Sequence, residues 1–437
     1  MSLPPGPRGA LWQTIRYVRD PLAFYLGCVK RYGDLFTVPS VVGPIVVVSR
    51  PEHVRALFSL PPSAFSRFHT EAVSPLLGAS SVLLTTGERH LQQRRMMAPS
   101  LHRERIEAFT LRIAHLARAH AAAWPVGEEF ALQDRLVPLC IDVVLSVGLG
   151  IEAPDRLVTL RAAMMQTLAA MGPTLMLTRA VHERLAEWAG YGRFHDARKA
   201  LDGLLYREID AALAAPGEGD HLLRTLIEAR DTQGNGFGRD ELRDQLVTVA
   251  FAGHETMAIA LTWCVYWLQK HPAALARLLG EIDAISQPSP AALAALPYLD
   301  AVCRETLRLY PTVPEVIRKL RQPLQLGAVS LPAGTAVAAC IVATHAREEL
   351  YPEPGVFKPE RFLDRRHDPD EYLPFGGGVH RCAGEAFAWM EMKVILCALL
   401  AAHRFTLTRA AAVTPRLRSL TMGPRGGVRV MMASRTA

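Results

Sequence analysis

The sequence predicts a mainly α-helical fold with a smaller β-rich part. Three observations predict it. Residues 88–230 are rich in Ala, Leu and Arg at helical spacing. The apolar run from Leu246 to Leu268 is far too long for a strand. Two β-branched stretches, Asp34–Ser49 and Gln322–Val342, carry turn residues in their middles.

In chain order, residues 1–8 form a proline-rich arm. "DLFTVPSVVGPIVVVS" reads as a hairpin that turns at Val-Gly-Pro, and "PEHVRALF" opens a helix with proline in its first turn. Residues 60–86, with Pro61, Pro62, Pro75 and Gly78, read as a long loop. The helical stretch that follows breaks at "WPVGEEF" and "MGPTL". A turn-rich loop, "DTQGNGFGRDEL", precedes the long apolar helix, which stops before Pro272. Another helix ends at Pro311. Gln322–Val342 reads as a β-meander with turns at Gly327 and Gly334. The irregular stretch 347–370 is long enough to be functional or to wrap something. A final helix spans Glu385–His403. No internal repeat or low-complexity linker divides the chain, so residues 1–437 are expected to form one domain.

Composition narrows the function. Half of the residues are apolar and about a fifth charged, as in ordinary folded proteins. The net charge of +7 is too scattered for a nucleic-acid partner. Cysteines at 28, 140, 264, 303, 340, 382 and 397 include no CxxC pair. That argues against a disulfide framework or a zinc module and fits a reducing, cytoplasmic setting. "MSLPPGPRGALW" is expected to act as neither signal nor membrane anchor. The run Leu246–Leu268 mimics a membrane span, but His254, Glu255 and Thr256 sit in its middle, where lipid makes a charge expensive. A buried helix is expected instead.

Chemistry concentrates at "LPFGGGVHRCAGEAFAWMEM", Leu373–Met392. Gly376, Gly377 and Gly378 lead into Cys382, and Ala383 and Gly384 follow it. Glycines permit close approach and unusual backbone angles. The helix that begins just after Cys382 would favour a thiolate. Neither GxGxxG nor GxxxxGK[ST] is present, so phosphate cradling is disfavoured. A cysteine-dependent hydrolase stays open, because fifteen histidines offer a base by chance alone. A single thiolate holding haem iron explains the thin loop best.

Phe375, Gly378, Cys382 and Gly384 resemble the cysteine-ligand loop of the cytochrome P450 family of haem-thiolate monooxygenases. Three further motifs resemble that family in order. "AGHET", Ala252–Thr256, lies in the long helix. There the Thr256 hydroxyl can bond the Ala252 carbonyl four residues back, and Gly253 helps the helix open. "ETLR", Glu305–Arg308, pairs with Arg361 of "FKPERF". "GERHLQQRR" carries His90 and Arg94 one turn apart.

The resemblance implies a P450 fold with haem b buried between the long central helix and the Cys loop with its C-terminal helix. It implies Cys382 as iron ligand, with Phe375, Gly376, Gly378, Gly384, Ala252 and Gly253 around the ring. His90, Arg94, Arg318 and His380 would hold the haem carboxylates, which need cationic, multi-donor partners. Glu255 and Thr256 would assist proton delivery during oxygen activation. Glu305, Arg308 and Arg361 would be structural, holding the loop that carries Cys382.

The implied activity is insertion of one oxygen atom from dioxygen into a lipophilic molecule such as a terpenoid, steroid or fatty acid. Electrons would come from a separate ferredoxin and reductase. Pocket walls are expected near 63–86 and 165–190, in the central helix and in "TVPEVI" and "SLTM", from Leu76, Leu77, Val249, Ala252, Val313, Val316, Ile317, Leu420 and Met422. A monomer without a membrane anchor is expected. The alternative is a haem-binding sensor or carrier that performs no oxidation, which would not need the Glu-Thr pair.

Overall fold

The computed structural model describes the chain except residues 1–2, 69–72, 102–108, 172–190, 216–220, 286–291, 293–295, 419 and 436–437. Helices dominate. In order they are α1 (Ala10–Arg19), α2 (Pro21–Tyr32), α3 (Pro51–Phe58), α4 (Ser74–Leu77), α5 (Gly87–Met97), α6 (Thr110–Ala122), α7 (Leu132–Leu149) and α8 (Pro154–Ala170). After them come α9 (Tyr191–Ala214), α10 (Leu222–Glu228), α11 (Arg239–Lys270), α12 (Pro272–Asp283), α13 (Pro297–Leu309), α14 (Ile341–His345), α15 (Arg361–Asp364) and α16 (Glu385–Ala402). Proline opens α2, α3, α8, α12 and α13, where its missing N–H costs nothing and its fixed φ already suits a helix.

The long helix α11 begins seven residues before the apolar run. Its Glu241 carboxylate accepts the Gly238 N–H at 3.0 Å, which caps the start. It packs along α7 and against α16 in the largest apolar cluster. Among the described residues α11 is long and apolar enough to cross a membrane, yet 67% of its most apolar window is buried inside the protein.

The β-rich part is built mainly on one five-stranded sheet, in the order β1 (Leu35–Ser40), β2 (Gly43–Val48), β8 (Ala336–Cys340), β5 (Glu315–Leu320), β3 (Phe65–Ser66). The Asp34–Ser49 hairpin forms as the pattern predicts, Phe36 opposite Val47. The proline-rich arm lies along it, with the Thr37 N–H donating to the Pro5 carbonyl at 3.1 Å. The meander does not form. β6 (Leu324–Leu326) and β7 (Val329–Leu331) pair with each other, but β8 leaves them and runs between β2 and β5. The reason lies in its sequence: "AVAAC" is buried at all five positions. A strand apolar on both faces suits the middle of a covered sheet.

Residues 60–86 are less irregular than expected, since they hold β3 and α4. The break at "WPVGEEF" is filled by β4 (Glu129–Ala131), which pairs with β12 (Arg429–Ser434) beside β9 (His403–Leu407). Residues 172–175 of "MGPTL" lie outside the described residues. A last hairpin joins β10 (Pro415–Arg418) to β11 (Thr421–Pro424).

Candidate functional site

The Cys382 loop is closed by its own backbone. The Cys382 N–H donates to the Phe375 carbonyl at 2.9 Å, and the Gly376 N–H to that of Leu373 at 2.9 Å. Gly376 and Gly378 take φ of +66° and +64°, angles that favour glycine. Space decides the rest. A Cβ on Gly377 would lie 2.2 Å from the Phe58 ring, and one on Gly378 2.5 Å from the Phe58 carbonyl oxygen. These two glycines are therefore thin so that the loop can seat on α3. A Cβ on Gly384 would meet nothing.

Cys382 lies three residues ahead of α16, and of the seven cysteines it alone is exposed. Protein nevertheless surrounds the sulfur, and that crowding pushes its pKa above the ordinary thiol value. The Gly384 N–H, Arg94 and Arg381 pull the other way. The net direction is opposite to that expected from the helix end alone. Accessible and crowded together describe a recess rather than an open face.

Four nitrogen-bearing side chains gather beside this recess. His90 and His380 stack with ring centroids 4.4 Å apart. The His90 ring nitrogens face the carbonyls of Val82 at 3.1 Å and Val379 at 3.3 Å. Arg94 donates to the Arg381 carbonyl at 2.7 Å. Arg318 donates only to its neighbour, the Ile317 carbonyl, at 3.0 Å. Burial drives the Arg318 pKa down to about 10. His380 is pushed down to about 3 by burial and by Arg318, His90 and Arg94. His90 and Arg94 are also lowered, chiefly by burial. The His380 Nδ1 is buried without a partner. No described carboxylate neutralises the cluster.

Across the chain, α11 shows a local opening. Ala252 is exposed although the helix around it is largely buried. The Thr256 hydroxyl donates to the Ala252 carbonyl at 2.7 Å, the back-bond that the spacing predicts. Gly253 faces Val144, which a Cβ would approach to 3.1 Å. Glu255 turns away from Thr256 and accepts from the Thr421 hydroxyl at 3.0 Å. Burial raises the Glu255 pKa, opposed by Thr421 and Arg418. Thr421 also lies 2.9 Å from the Arg418 carbonyl. One hydroxyl has one hydrogen, so both contacts are satisfied together when Glu255 is protonated and donates to Thr421. The sequence put Thr421 in an expected pocket wall, "SLTM", but not as the partner of Glu255, 166 residues away.

Glu305, Arg308 and Arg361 meet as expected. Arg308 forks onto both Glu305 oxygens at 2.7 and 2.9 Å, and the Arg361 Nε donates to Glu305 at 3.0 Å. Lys358 adds its backbone N–H at 2.9 Å. Both guanidiniums also donate to carbonyls of the 345–356 segment. The route to the Cys loop runs through a residue that the motifs did not reveal. The buried His345 bonds the Arg308 carbonyl through Nδ1 at 3.1 Å, and its Nε2 accepts the Leu373 N–H at 2.8 Å. That fixes the tautomer, and burial with the nearby Arg308 drives the pKa down to about 3.

The expected pocket residues separate. Val249, Val313, Val316 and Ile317 are partly exposed, but Ile317 lies on the other face of β5 from Val316 and packs against the cluster of Phe24, Tyr25 and Phe36. Leu77 and Met422 are fully buried in the packed core, and Leu420 is 53% exposed in the β10–β11 turn. Leu76 lines a small apolar cavity among α7, α8, α9 and α11, together with Leu145, Met164, Leu201 and Leu246. The expected wall at 172–190 and Ser419 lie outside the described residues.

The model of the family described as "Cytochrome P450" matches residues 4–428. Cytochrome P450 135B1 of Mycobacterium tuberculosis is 35% identical over 98% of this chain and 91% of its own length. Cytochrome P450 135A1 of the same organism is 33% identical over 99% and 95%. A cyanobacterial CYP120A1 structure with retinoic acid bound is 26% identical, covers 99% of this chain and 100% of its own, and superimposes with a TM-score of 0.86. The haem domain of cytochrome P450DA, at 21% identity and a TM-score of 0.87, shares the fold. The chain accordingly belongs to the cytochrome P450 family, whose members are haem b-dependent monooxygenases.

Proposed function

We propose that this chain hydroxylates a lipophilic small molecule, with Cys382 as the thiolate that would hold haem iron and electrons from a separate redox protein. One observation carries the assignment of residues. Arg94 and Arg318, two partly buried guanidiniums with no described carboxylate, stand with His90 and His380 beside the one accessible thiol. Burying such charge is unfavourable without a counter-ion. Haem b brings two carboxylates and an iron that accepts one thiolate, so the donor set fits it in kind and in number.

When bound, haem b supplies the activation of dioxygen, one atom of which enters the substrate while the other leaves as water. The chain's own residues do the rest. Arg94, Arg318 and the two histidines fix the orientation of the ring through its carboxylates. The Ala252–Thr256 opening would leave room for small molecules and present the Thr256 hydroxyl to them. Glu255, its pKa raised by burial, can give up a proton and take another through Thr421. Glu305, Arg308, Arg361 and His345 hold the Cys loop at a constant height.

Val249, Val313 and Val316 would meet the substrate with apolar surface, which favours a terpenoid, steroid or fatty-acid-like molecule. The retinoic acid held by the cyanobacterial relative is a ligand of that lipophilic kind. The redox partner would be a small acidic ferredoxin docking near Arg381 and the exposed Arg95. We take the whole chain to work as one domain.

The reduced, carbon monoxide-bound protein should show the red-shifted Soret band of thiolate ligation. An unshifted band, or failure to take up haem, overturns the assignment. Adding fatty acids, terpenoids and steroids in turn should identify the substrate class by its spectral shift. Thr256→Ala should release electrons as peroxide or water rather than product; unchanged coupling removes Thr256 from the relay.

A further inference from the structure

Several large apolar side chains left on the surface gather on one face of α1. Leu11 is 67% exposed, Trp12 62%, Ile15 49% and Val18 37%. At helical spacing Leu11, Ile15 and Val18 share one stripe, with Trp12 at its edge. The opposite side of α1 faces the protein. There Gln13 is buried and the Tyr17 hydroxyl donates to the Glu315 carboxylate at 2.6 Å. Val41 and Val42, in the turn between β1 and β2, are also exposed. The Val41 N–H donates to the Thr14 hydroxyl at 3.4 Å, which sets that turn beside the helix. Contiguous apolar surface of this kind marks an interaction face.

Charge says what covers it. Arg16 and Arg19 are exposed and fall along the Trp12 flank of the stripe, and the exposed Arg8 stands just ahead of the helix. Residues 1–33 hold five basic side chains against one acid, Asp20. Asp20 is occupied in capping α2, where it accepts the Ala23 N–H at 2.9 Å. An apolar ridge edged by tryptophan and bordered by arginines, with no free acid, matches the headgroup region of an anionic bilayer. An apolar protein groove would not need the arginine border.

We propose that the α1 face docks on anionic membrane surfaces. The ridge of Leu11, Trp12, Ile15, Val18 and Val41 enters the headgroup layer, and the arginines meet lipid phosphates. No segment crosses the bilayer in this arrangement. Tyr17 ties the helix to Glu315, the neighbour of Val316 and Ile317. Docking would thus bring the bilayer to the end of the sheet that carries those residues.

The test uses the full-length, haem-loaded chain. Vesicles of equal parts phosphatidylcholine and phosphatidylglycerol should sediment it roughly tenfold more tightly than pure phosphatidylcholine, with the difference shrinking in high salt. Leu11→Ser/Ile15→Ser/Val18→Ser should weaken binding about tenfold or more, with the haem spectrum and melting temperature unchanged. Arg8→Gln/Arg19→Gln should remove the preference for anionic vesicles. The blue shift of tryptophan emission on vesicle addition should disappear in Trp12→Phe. The proposal is overturned if the wild type ignores anionic vesicles or if the apolar triple variant binds like it. It is equally overturned if the wild type dimerises without lipid and that variant is monomeric, which assigns the face to a second copy.

Discussion

Two groups of buried charge flank the Cys382 loop, and they are opposites. Around Glu305 every strong donor has an acceptor: Arg308 and Arg361 share the carboxylate and spend their remaining N–H groups on carbonyls. Around Arg318 nothing balances. Two guanidiniums and two imidazoles lie together, burial depresses their pKa values, and no described carboxylate answers the guanidiniums. The first arrangement is complete without a ligand, so it explains stability. The second is complete only with an anion, so it explains binding. Buried charge by itself says little about role. What its hydrogen bonds leave unsatisfied says more.

This contrast can be broken most forcefully at Glu305. Glu305→Gln leaves two guanidiniums buried without a counter-charge and should cost about 3–5 kcal/mol, with loss of haem incorporation following from it. Chemical unfolding of the apo and loaded forms would measure it; a loss below about 1 kcal/mol would refute the structural role. Arg318→Leu should behave in the opposite way. The apo protein should be unchanged or more stable, while haem should leave about ten- to a hundredfold faster, matching roughly 1.5–3 kcal/mol of charge-assisted bonding. Equal losses in both forms would erase the distinction drawn here.

His345 sharpens the comparison through pH. Its folded pKa is about 3 against an ordinary value of 6.5. Between those values the unfolded chain binds a proton that the folded chain refuses. Stability should therefore be full above pH 6.5 and fall as the pH drops toward 3. His345→Gln should lower stability by about 1–3 kcal/mol at neutral pH and flatten that slope. The smallest effect is expected at Thr421. Thr421→Val removes one partner of Glu255 and should cost about 1 kcal/mol. Its clearer readout is a lower ratio of product to electrons consumed, milder than that of Thr256→Ala.

Local signals made most of the architecture legible. The helix limits follow from proline placement and apolar spacing, and the motifs brought Glu305, Arg308 and Arg361 to one point because two of them share a helix turn. Signals that depend on distant partners were not legible. Nothing in "AVAAC" says that β2 lies on one side and β5 on the other. Nothing near Cys382 says that Phe58, more than three hundred residues earlier, presses on Gly377 and Gly378. His345 stands in unremarkable sequence and Thr421 in a stretch read only as pocket wall; their bonds to Leu373 and Glu255 are what distinguish them. The pocket list failed where it treated apolar character as exposure. Leu77 and Met422 are spent on the core.

The position of β8 also bears on how the protein is made. Its partner β2 is translated nearly three hundred residues earlier, and Val46, Val47 and Val48 stay fully covered in the finished sheet. On the ribosome that hairpin must wait, with a valine-rich edge free, until residue 340 emerges. An uncovered edge of this kind invites pairing with other nascent chains. Slow synthesis or a shortage of chaperones should therefore reduce the yield of intact protein well before any defect in the finished enzyme could be measured.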